Sequence, residues 1–256
     1  MAIELIHNYS LIHDDIIDGD RERRHRPSVW AEFGVGRAIV AGDALATLAT
    51  QILLETPGGG VNAAAALAEA TQAMIEGQSV DMAFETRQAI APEECLVMEQ
   101  GKTGALLSCA AAIGAILVGA SPDVVGALAD FGADLGIAFQ AVDDILGIWG
   151  EPGRTGKPVG SDLVSHKKSL PIAIALAGPA SDDLAQLAAL LEGPLAGDDL
   201  ARATSLIEAT GAREAVMAIA EERLGAALGA LDRVSLAERP RAELAAVARF
   251  VTERDQ

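Results

Sequence analysis

Apolar residues recur every three or four positions along almost the whole chain, the spacing of α-helices, and no stretch alternates apolar and polar residues as a strand does. The predicted helices run from the chain start to Asp18, from Trp30 or Arg37 to Glu55, from a cap at Asn62 to Phe84, from Pro92 through Lys102 and the window Ala105–Ala120, and from Pro122 to Trp149. Shorter amphipathic helices follow the Gly/Pro-rich segment 150–161 and reach Phe250. No break is long or polar enough to be an interdomain linker, so we expect residues 1–256 to form a single all-α domain.

The composition agrees with a helical protein and limits its partners. Of the 256 residues, 50% are apolar but only 3% are aromatic, whereas sandwiches and barrels are rich in aromatic and β-branched residues. The formal net charge is −18. Nucleic acids and anionic membrane surfaces both require a basic face, so neither is expected as a partner.

Several features predict a cytoplasmic location. Glu4 and two histidines interrupt the first fifteen residues, where an export signal would need an uncharged apolar stretch. The most membrane-like window, Ala105–Ala120, has sixteen uncharged residues, whereas a spanning helix needs about 20, so no membrane span is expected. The two cysteines, Cys95 and Cys109, have no Cys or His neighbours at metal-ligand spacing and form no disulfide framework.

The segment HNYSLIHDDIIDGDRERRHR, residues 7–26, carries the first candidate site. Asp14 and Asp18 are four residues apart on the predicted helix, hence on one face and about 6 Å apart. Two carboxylates at that distance repel by ~0.7 kcal/mol in water and ~3 kcal/mol at an effective dielectric constant near 20, and a shared Mg²⁺ would turn this repulsion into attraction. The alternative is a solvated acidic helix end. An EF-hand is excluded, because Ile16 occupies the third ligand position and His25 the twelfth.

Basic residues follow directly. The arginines in this stretch are Arg21, Arg23, Arg24 and Arg26. In so acidic a chain, an arginine cluster beside paired carboxylates is typical of a site for phosphate oxygens. Ion pairing with the neighbouring acids is an equally good interpretation of this cluster taken alone.

A second acidic element lies in FQAVDDILGIWG, residues 139–150. Gln140, Asp143 and Asp144 share one face of the predicted helix among apolar neighbours. Burying adjacent carboxylates without a partner would cost several kcal/mol, so a metal ion or a basic group is required. The following segment supplies Lys157, Lys167 and Lys168.

All four lysines and all four histidines fall within residues 7–25, 102 and 157–168. Lysine is a compact charge suited to phosphate oxygens, so these positions are candidates, although chance clustering in a lysine-poor chain is the alternative. Together, the two carboxylate clusters and the basic residues predict a cage for several Mg²⁺ ions and a diphosphate. An apolar pocket that includes Tyr9, with no catalytic triad, would suit a diphosphate whose departure leaves a stable carbocation, such as an allylic one.

The motifs resemble those of trans-isoprenyl (polyprenyl) diphosphate synthases, in order, over roughly residues 4–175. The segments that carry the resemblance are HNYSLIHDDIIDGDRERRHRPSVW, AGDALATLA, EGQSVDM, GKTGALL, FQAVDDILGIWG and GKPVGSDLVSHKKSLP. The resemblance implies a helical isoprenoid synthase bundle around a central cavity, forming a homodimer. It also implies Mg²⁺-assisted ionisation of an allylic diphosphate, with three Mg²⁺ ions per active site, followed by attack by isopentenyl diphosphate.

The resemblance also implies residue roles. The residues that would bind metal are Asp14, Asp15, Asp18, Asp143 and Asp144. Those that would bind the allylic diphosphate are Arg23, Lys102, Thr103, Gln140, Lys157 and Lys167. Those that would bind isopentenyl diphosphate are His7 and Arg24. Tyr9, five residues before Asp14, would form the floor that limits chain growth. An aromatic floor with no insertion in DDIID resembles synthases of the twenty-carbon geranylgeranyl product, with the fifteen-carbon farnesyl product next.

Two departures from the family pattern leave alternatives open. The second acidic motif ends in Gly147, where many relatives have a third Asp, and the chain begins thirteen residues before Asp14, without the family's opening helices and their Gly-Gly-Lys-x-x-Arg-Pro motif. A terpene cyclase that shares the cage, or a non-catalytic subunit of a heteromeric synthase, are therefore the alternative functions.

Overall fold

A computed structural model describes residues 1–150 and 159–252 and confirms the predicted all-α class. The helices are α1 Ala2–Ile17, α2 Val29–Phe33, α3 Val35–Leu54, α4 Gly60–Phe84, α5 Pro92–Glu99, a π-helical segment Gln100–Gly104, α6 Ala105–Leu117, α7 Pro122–Trp149, α8 Ser161–Val164, α9 Leu170–Leu176, α10 Asp182–Leu191, α11 Gly197–Ala209, α12 Ala212–Asp232 and α13 Glu238–Thr252. A small antiparallel ribbon pairs β1 Glu22–Arg23 with β2 Arg26–Pro27.

Helix α7 is the central element of the bundle and has the bounds that the sequence predicts. Its start is fixed by Pro122 in the first turn and by Ser121, whose side chain accepts a hydrogen bond from the Val124 amide at 3.5 Å. It packs mainly on α6 and α12. Its residues enter three of the four apolar clusters of the core, for example Phe131 in one and Ile148 in another.

Glycines let the helices beside the site approach each other closely. A Cβ atom on Gly77 of α4 would lie 2.4 Å from the Lys102 amide nitrogen in the π-helical segment. A Cβ atom on Gly136 of α7 would lie 2.7 Å from the Cα atom of Gly104 at the end of the same segment. The π-helical segment is therefore held between α4 and α7 by backbone contact.

The structure corrects several predicted boundaries. The second predicted helix is divided at Gly34, whose φ of 87° interrupts the helix. Asn62 does not cap α4, because the helix already begins at Gly60 and Gly59 donates its amide hydrogen to the Leu117 carbonyl oxygen at 3.2 Å. The fourth predicted helix is one continuous stretch, Pro92–Leu117, but with a π-helical segment inside it.

The polar break after α1 contains the ribbon that the pattern of apolar residues missed. Its two central turn residues, Arg24 and His25, have φ values of 53° and 61°. Positive φ at both positions is the requirement of a type I′ hairpin turn. Strands of two residues are too short to leave an alternating pattern in the sequence.

Within residues 1–150 and 159–252, three helical stretches are long and apolar enough to cross a membrane by length and composition alone: Val35–Leu54, Pro92–Leu117 and Pro122–Trp149. The second stretch is longer than the apolar window Ala105–Ala120 of the sequence, because the helix already begins at Pro92. Half of the most apolar window of α7 is buried inside the protein. The absence of a membrane span remains a prediction.

Candidate active site

The first acidic pair lies at the end of α1: Asp14 is in the last turn, and Asp18 follows the helix as its C-cap, with its amide bonded to the Asp14 carbonyl oxygen at 2.8 Å. Asp14 is partly buried, and burial raises the pKa of its carboxyl from 3.8 to about 6, with Asp18 raising it further and Lys102 opposing the rise. Burial likewise raises the pKa of Asp18, and Lys102 again lowers it. The positive charge near both carboxylates therefore does not offset the cost of their burial, and a divalent cation bound to them would lower both pKa values.

Asp15 has a different environment from its two neighbours. It is buried, with 3% exposure, and its Oδ1 accepts a hydrogen bond from the Arg23 Nε of β1 at 2.7 Å. Burial raises the pKa of Asp15, and the ion pair with Arg23 lowers it only in part. Asp15 therefore ties the ribbon to α1 and holds Arg23 next to the acidic pair.

Lys102 places a second positive charge, besides Arg23, near the first acidic pair. Its Nζ donates to Asp81 Oδ2 of α4 at 2.6 Å, and both side chains are mostly buried. Sequence reasoning missed Asp81 as a site residue. Asp81 lies in the EGQSVDM motif, but α4 also carries Glu69 and Glu76, so charge alone does not distinguish it. Its electrostatic effects raise the pKa values of both Asp14 and Asp18.

A chain of hydrogen bonds begins at the next residue of the π-helical segment. Thr103 Oγ1 donates to Gln140 Oε1 of α7 at 3.0 Å, and Gln140 Nε2 donates to Asp144 Oδ1 at 2.9 Å. The other oxygen of Asp144 accepts the Leu170 backbone amide at 2.8 Å. Two adjacent residues thus face different acidic clusters. Lys102 faces Asp14 and Asp18, and Thr103 faces the cluster of Gln140 and Asp144.

The two acidic residues of α7 differ in burial. Asp144 is buried, with 1% exposure, and its Oδ1 also lies 3.4 Å from Lys167 Nζ, whereas Asp143 is exposed. Burial lowers the pKa of Lys167, but Asp144, Asp162 and Asp143 raise it more, so the ammonium form is favoured. Because Asp144 already has three donors, the geometry favours Asp143 as the metal ligand and Asp144 as the residue that holds Lys167 and Gln140.

The two clusters face a common region. Asp81 acts electrostatically on Asp14 and Asp18 of α1 and also on Lys167 beside the second cluster. Lys102, which is bound to Asp81, acts electrostatically on Asp14 and Asp18, and the adjacent Thr103 donates a hydrogen bond to Gln140 beside the second cluster. Residues distant in sequence are therefore brought together around the π-helical segment, a type of element that is frequent at functional sites.

A buried acid lies behind Asp144. Glu99 of α5 has 2% exposure, and ligand atoms of Cys95, Glu99 and Asp144 lie within 4.8 Å of one another. Burial and the nearby Asp144 raise the pKa of Glu99 well above its ordinary value of 4.5, which favours the protonated acid. Burial also raises the pKa of Cys95, so its thiol is disfavoured as a metal ligand. A neutral Glu99 thus accounts for this buried cluster without a bound cation.

The remaining predicted residues lie at the edges of the described site. His7 Nδ1 is 3.5 Å from Glu4, and both His7 and exposed Arg24 contribute to lowering the pKa of Glu4, after its hydrogen bond with Asn8. The Tyr9 ring lies 4.7 Å from the His13 ring in an edge-on arrangement.

Tyr9 also packs, one turn before the acidic pair, against the apolar cluster shared by α1, α3, α4 and α6. Tyr9 is thus partly buried against apolar residues, and its role as a cavity floor stays a prediction. Lys157 lies outside the described residues.

The donor set fits magnesium. Asp14, Asp18 and Asp143 offer carboxylate oxygens that are not already used by close hydrogen-bond donors among those described, and hard divalent cations prefer such ligands. The raised pKa of Asp14, caused first by burial, is the electrostatic cost that a bound cation would remove.

Comparisons with known proteins show the family of the chain. The family described as polyprenyl synthetase matches residues 1–207. The (2E,6E)-farnesyl diphosphate synthase of Mycobacterium tuberculosis is 44% identical over 99% of this chain and 72% of its own length. A geranylgeranyl diphosphate synthase of the same organism is 43% identical over 90% of this chain and 67% of its own length.

Two solved structures show the same fold. The polyprenyl synthetase of Streptomyces coelicolor superposes with a TM-score of 0.93 at 43% identity, covering 98% of this chain and 76% of that one. The geranylgeranyl pyrophosphate synthase of Corynebacterium glutamicum, solved with isoprenyl diphosphate and magnesium, has a TM-score of 0.90 at 31% identity, covering 99% and 77%.

Proposed function

Because the chain belongs to the polyprenyl synthetase family, whose members condense isopentenyl diphosphate with allylic diphosphates, we propose that it is a geranylgeranyl diphosphate synthase. The observation that supports this best is that two adjacent residues link the regions of both carboxylate clusters: Lys102 acts electrostatically on Asp14 and Asp18, and Thr103 hydrogen-bonds Gln140, which in turn donates to Asp144. Such an arrangement suits a charged diphosphate bound beside an apolar chain.

The residues of the site divide into metal ligands and diphosphate ligands. In the proposal, Asp14, Asp18 and Asp143 would hold three magnesium ions, with Asp15 and Asp144 supporting these ligands. Bound magnesium would neutralise the diphosphate and stabilise the negative charge that develops as it departs.

The allylic diphosphate is bound by Arg23, Lys102, Thr103, Gln140, Lys157 and Lys167. Of these residues, Lys102 and Lys167 carry ammonium groups that the structure describes, and these groups would stabilise the negative charge of the diphosphate. Lys102 and Lys167 are each fixed by a carboxylate, at 2.6 Å and 3.4 Å, so they need little reorganisation when negative charge develops on the leaving group.

His7 and Arg24 would bind isopentenyl diphosphate at the outer edge of the site. We further propose that the enzyme acts as a cytoplasmic homodimer.

Product length rests on Tyr9. Its ring contacts His13 and packs over the apolar cluster below the acidic pair, where a growing chain of isoprene units would extend. An aromatic side chain there would stop elongation at twenty carbons. The farnesyl product is the second candidate, since the farnesyl diphosphate synthase of M. tuberculosis is 44% identical.

Product analysis tests both parts of the proposal. The protein is incubated with Mg²⁺, labelled isopentenyl diphosphate and dimethylallyl, geranyl or farnesyl diphosphate, and the dephosphorylated products are separated by chromatography. We expect geranylgeraniol from wild type and from the matched control Tyr9→Phe, and longer chains from Tyr9→Ala.

Three outcomes separate the hypotheses. Farnesol as the terminal product would replace the twenty-carbon assignment. An unchanged product from Tyr9→Ala would remove Tyr9 from the cavity floor. Hydrocarbon or alcohol released from an allylic diphosphate alone would identify a cyclase instead.

A further inference from the structure

The space above Gly147 is occupied by a side chain from another element. Gly147 lies one helical turn after Asp143 on α7, so the two positions share a face. A Cβ atom on Gly147 would lie 2.3 Å from Asp162 Oδ2 and 2.4 Å from its Cγ. The Asp162 carboxylate of α8 therefore fills the position that a side chain of residue 147 would take.

Local contacts fix Asp162 in this position. Its side chain is only 11% exposed, and Ser161 Oγ lies 3.4 Å from Asp162 Oδ1 and 3.3 Å from the Gly147 carbonyl oxygen. Gly160 starts α8 with a φ of 72°, a conformation that turns the chain into the helix. The Asp162 carboxylate is thus positioned by the backbone turn at Gly160 and by the contact with Ser161.

Asp162 also holds Lys167 from two directions. Its carbonyl oxygen accepts the Lys167 amide at 2.9 Å, and its Oδ2 lies 3.8 Å from Lys167 Nζ. The same ammonium lies 3.4 Å from Asp144 Oδ1 on its other side. Among the described residues, Lys167 is therefore centred between two carboxylates, those of Asp144 and Asp162.

We propose that Asp162 is the third carboxylate of the second acidic cluster, admitted to the face of α7 by the missing side chain at Gly147. Asp162 acts as a positioning residue, because it holds the Lys167 ammonium between α7 and α8. The negative charge of Asp143 then stays available for a divalent cation. This rests on the proposed function, in which Lys167 contacts diphosphate and Asp143 binds magnesium.

The first test removes the charge of Asp162 and retains its shape. For Asp162→Asn we expect a 10- to 100-fold lower kcat and a similar rise in the Mg²⁺ concentration needed for half-maximal rate, as is typical when a residue behind a metal ligand is lost. The KM for isopentenyl diphosphate should change less than twofold. Calorimetry should show Mg²⁺-dependent binding of inorganic diphosphate weakened about tenfold.

Asp134→Asn is the matched control. Asp134 also lies on α7 and pairs with Arg223 at 3.1 Å, but it is nine residues before Asp143, about 14 Å along the helix. It should leave kcat, the Mg²⁺ dependence and diphosphate binding unchanged. Thermal unfolding of both variants shows whether each remains folded.

The second test moves the carboxylate from α8 to α7. Gly147→Asp alone should impair diphosphate binding, because its Cβ collides with Asp162. Asp162→Ala alone should impair it by loss of charge. The double variant Gly147→Asp, Asp162→Ala should bind at least tenfold more tightly than Asp162→Ala, because the space and the charge are both restored.

The outcomes distinguish this proposal from the proposed function. If wild type forms no prenyl product but binds Mg²⁺ and diphosphate in an Asp162-dependent way, the function fails and the role of Asp162 stands. If wild type is active and Asp162→Asn matches it in kcat, Mg²⁺ dependence and diphosphate binding, the role of Asp162 is wrong. A double variant no better than Asp162→Ala, or a loss confined to thermal stability, would also overturn it.

Discussion

Replacing Asp14 with asparagine should make the metal-free protein more stable and the enzyme inactive. Burial raises the pKa of Asp14 from 3.8 to about 6, so its ionised form is less favourable in the folded state than in the unfolded chain. Between these two values the folded state binds more protons than the unfolded state, so stability falls as the pH rises through this window.

The size of the effect follows from the pKa. The difference between 3.8 and about 6 corresponds to about 3 kcal/mol of destabilisation at pH 7.5 and about half of that at pH 5. Asparagine has the shape of the protonated acid and carries no charge. For a chain of this size, about 3 kcal/mol is a rise in Tm of about 6 °C or more.

Thermal unfolding in EDTA measures this difference directly. We expect Asp14→Asn to melt above wild type at pH 7.5, with a smaller difference at pH 5, and prenyl transfer to fall by at least 100-fold because a metal ligand is lost. An Asp14→Asn protein less stable than wild type at pH 7.5 in EDTA would refute the reasoning. It would mean that groups of the protein already satisfy the carboxylate.

Three further predictions follow from single contacts. Lys102→Gln removes the ammonium beside Asp81 and should lower kcat on the order of 100-fold in steady-state assays, whereas an unchanged kcat would exclude Lys102 from the reaction. Gly77→Ala places a methyl group 2.4 Å from the Lys102 amide and should lower the free energy of unfolding by about 1–3 kcal/mol in guanidinium titrations; a neutral result would contradict the close packing. Burial raises the pKa of Cys109 to about 11 and that of Cys95 above its ordinary range, so a thiol reagent at pH 8 should modify neither cysteine in the native protein and both after denaturation.

The sequence predicts those parts of the fold that depend on local residues. The helix Pro122–Trp149 is found at its observed bounds, because proline favours its first turn and a Gly/Pro-rich segment follows it. The acidic pairs are found for the same reason, since residues four apart on a helix share a face wherever the helix packs.

The features that sequence reasoning missed depend on contacts between distant residues. The π-helical segment Gln100–Gly104 rests against Gly77 and Gly136, which belong to two other helices. Asp81 becomes a site residue only through Lys102, 21 residues away in the chain, and Asp162 reaches the second cluster through its approach to Gly147, about 15 residues away. No local pattern distinguishes these two acids from the other acidic residues of so acidic a chain.

A crystal structure with Mn²⁺ and inorganic diphosphate would test most directly whether α1 and α7 share one metal cluster. Mn²⁺ takes oxygen ligands as Mg²⁺ does, and its anomalous scattering locates each ion. The account predicts ions at about 2 Å from carboxylate oxygens of both Asp14 and Asp143, bridged by a single diphosphate that also contacts Lys102. Ions bound at only one of the two helices, or a diphosphate that contacts neither, would contradict it.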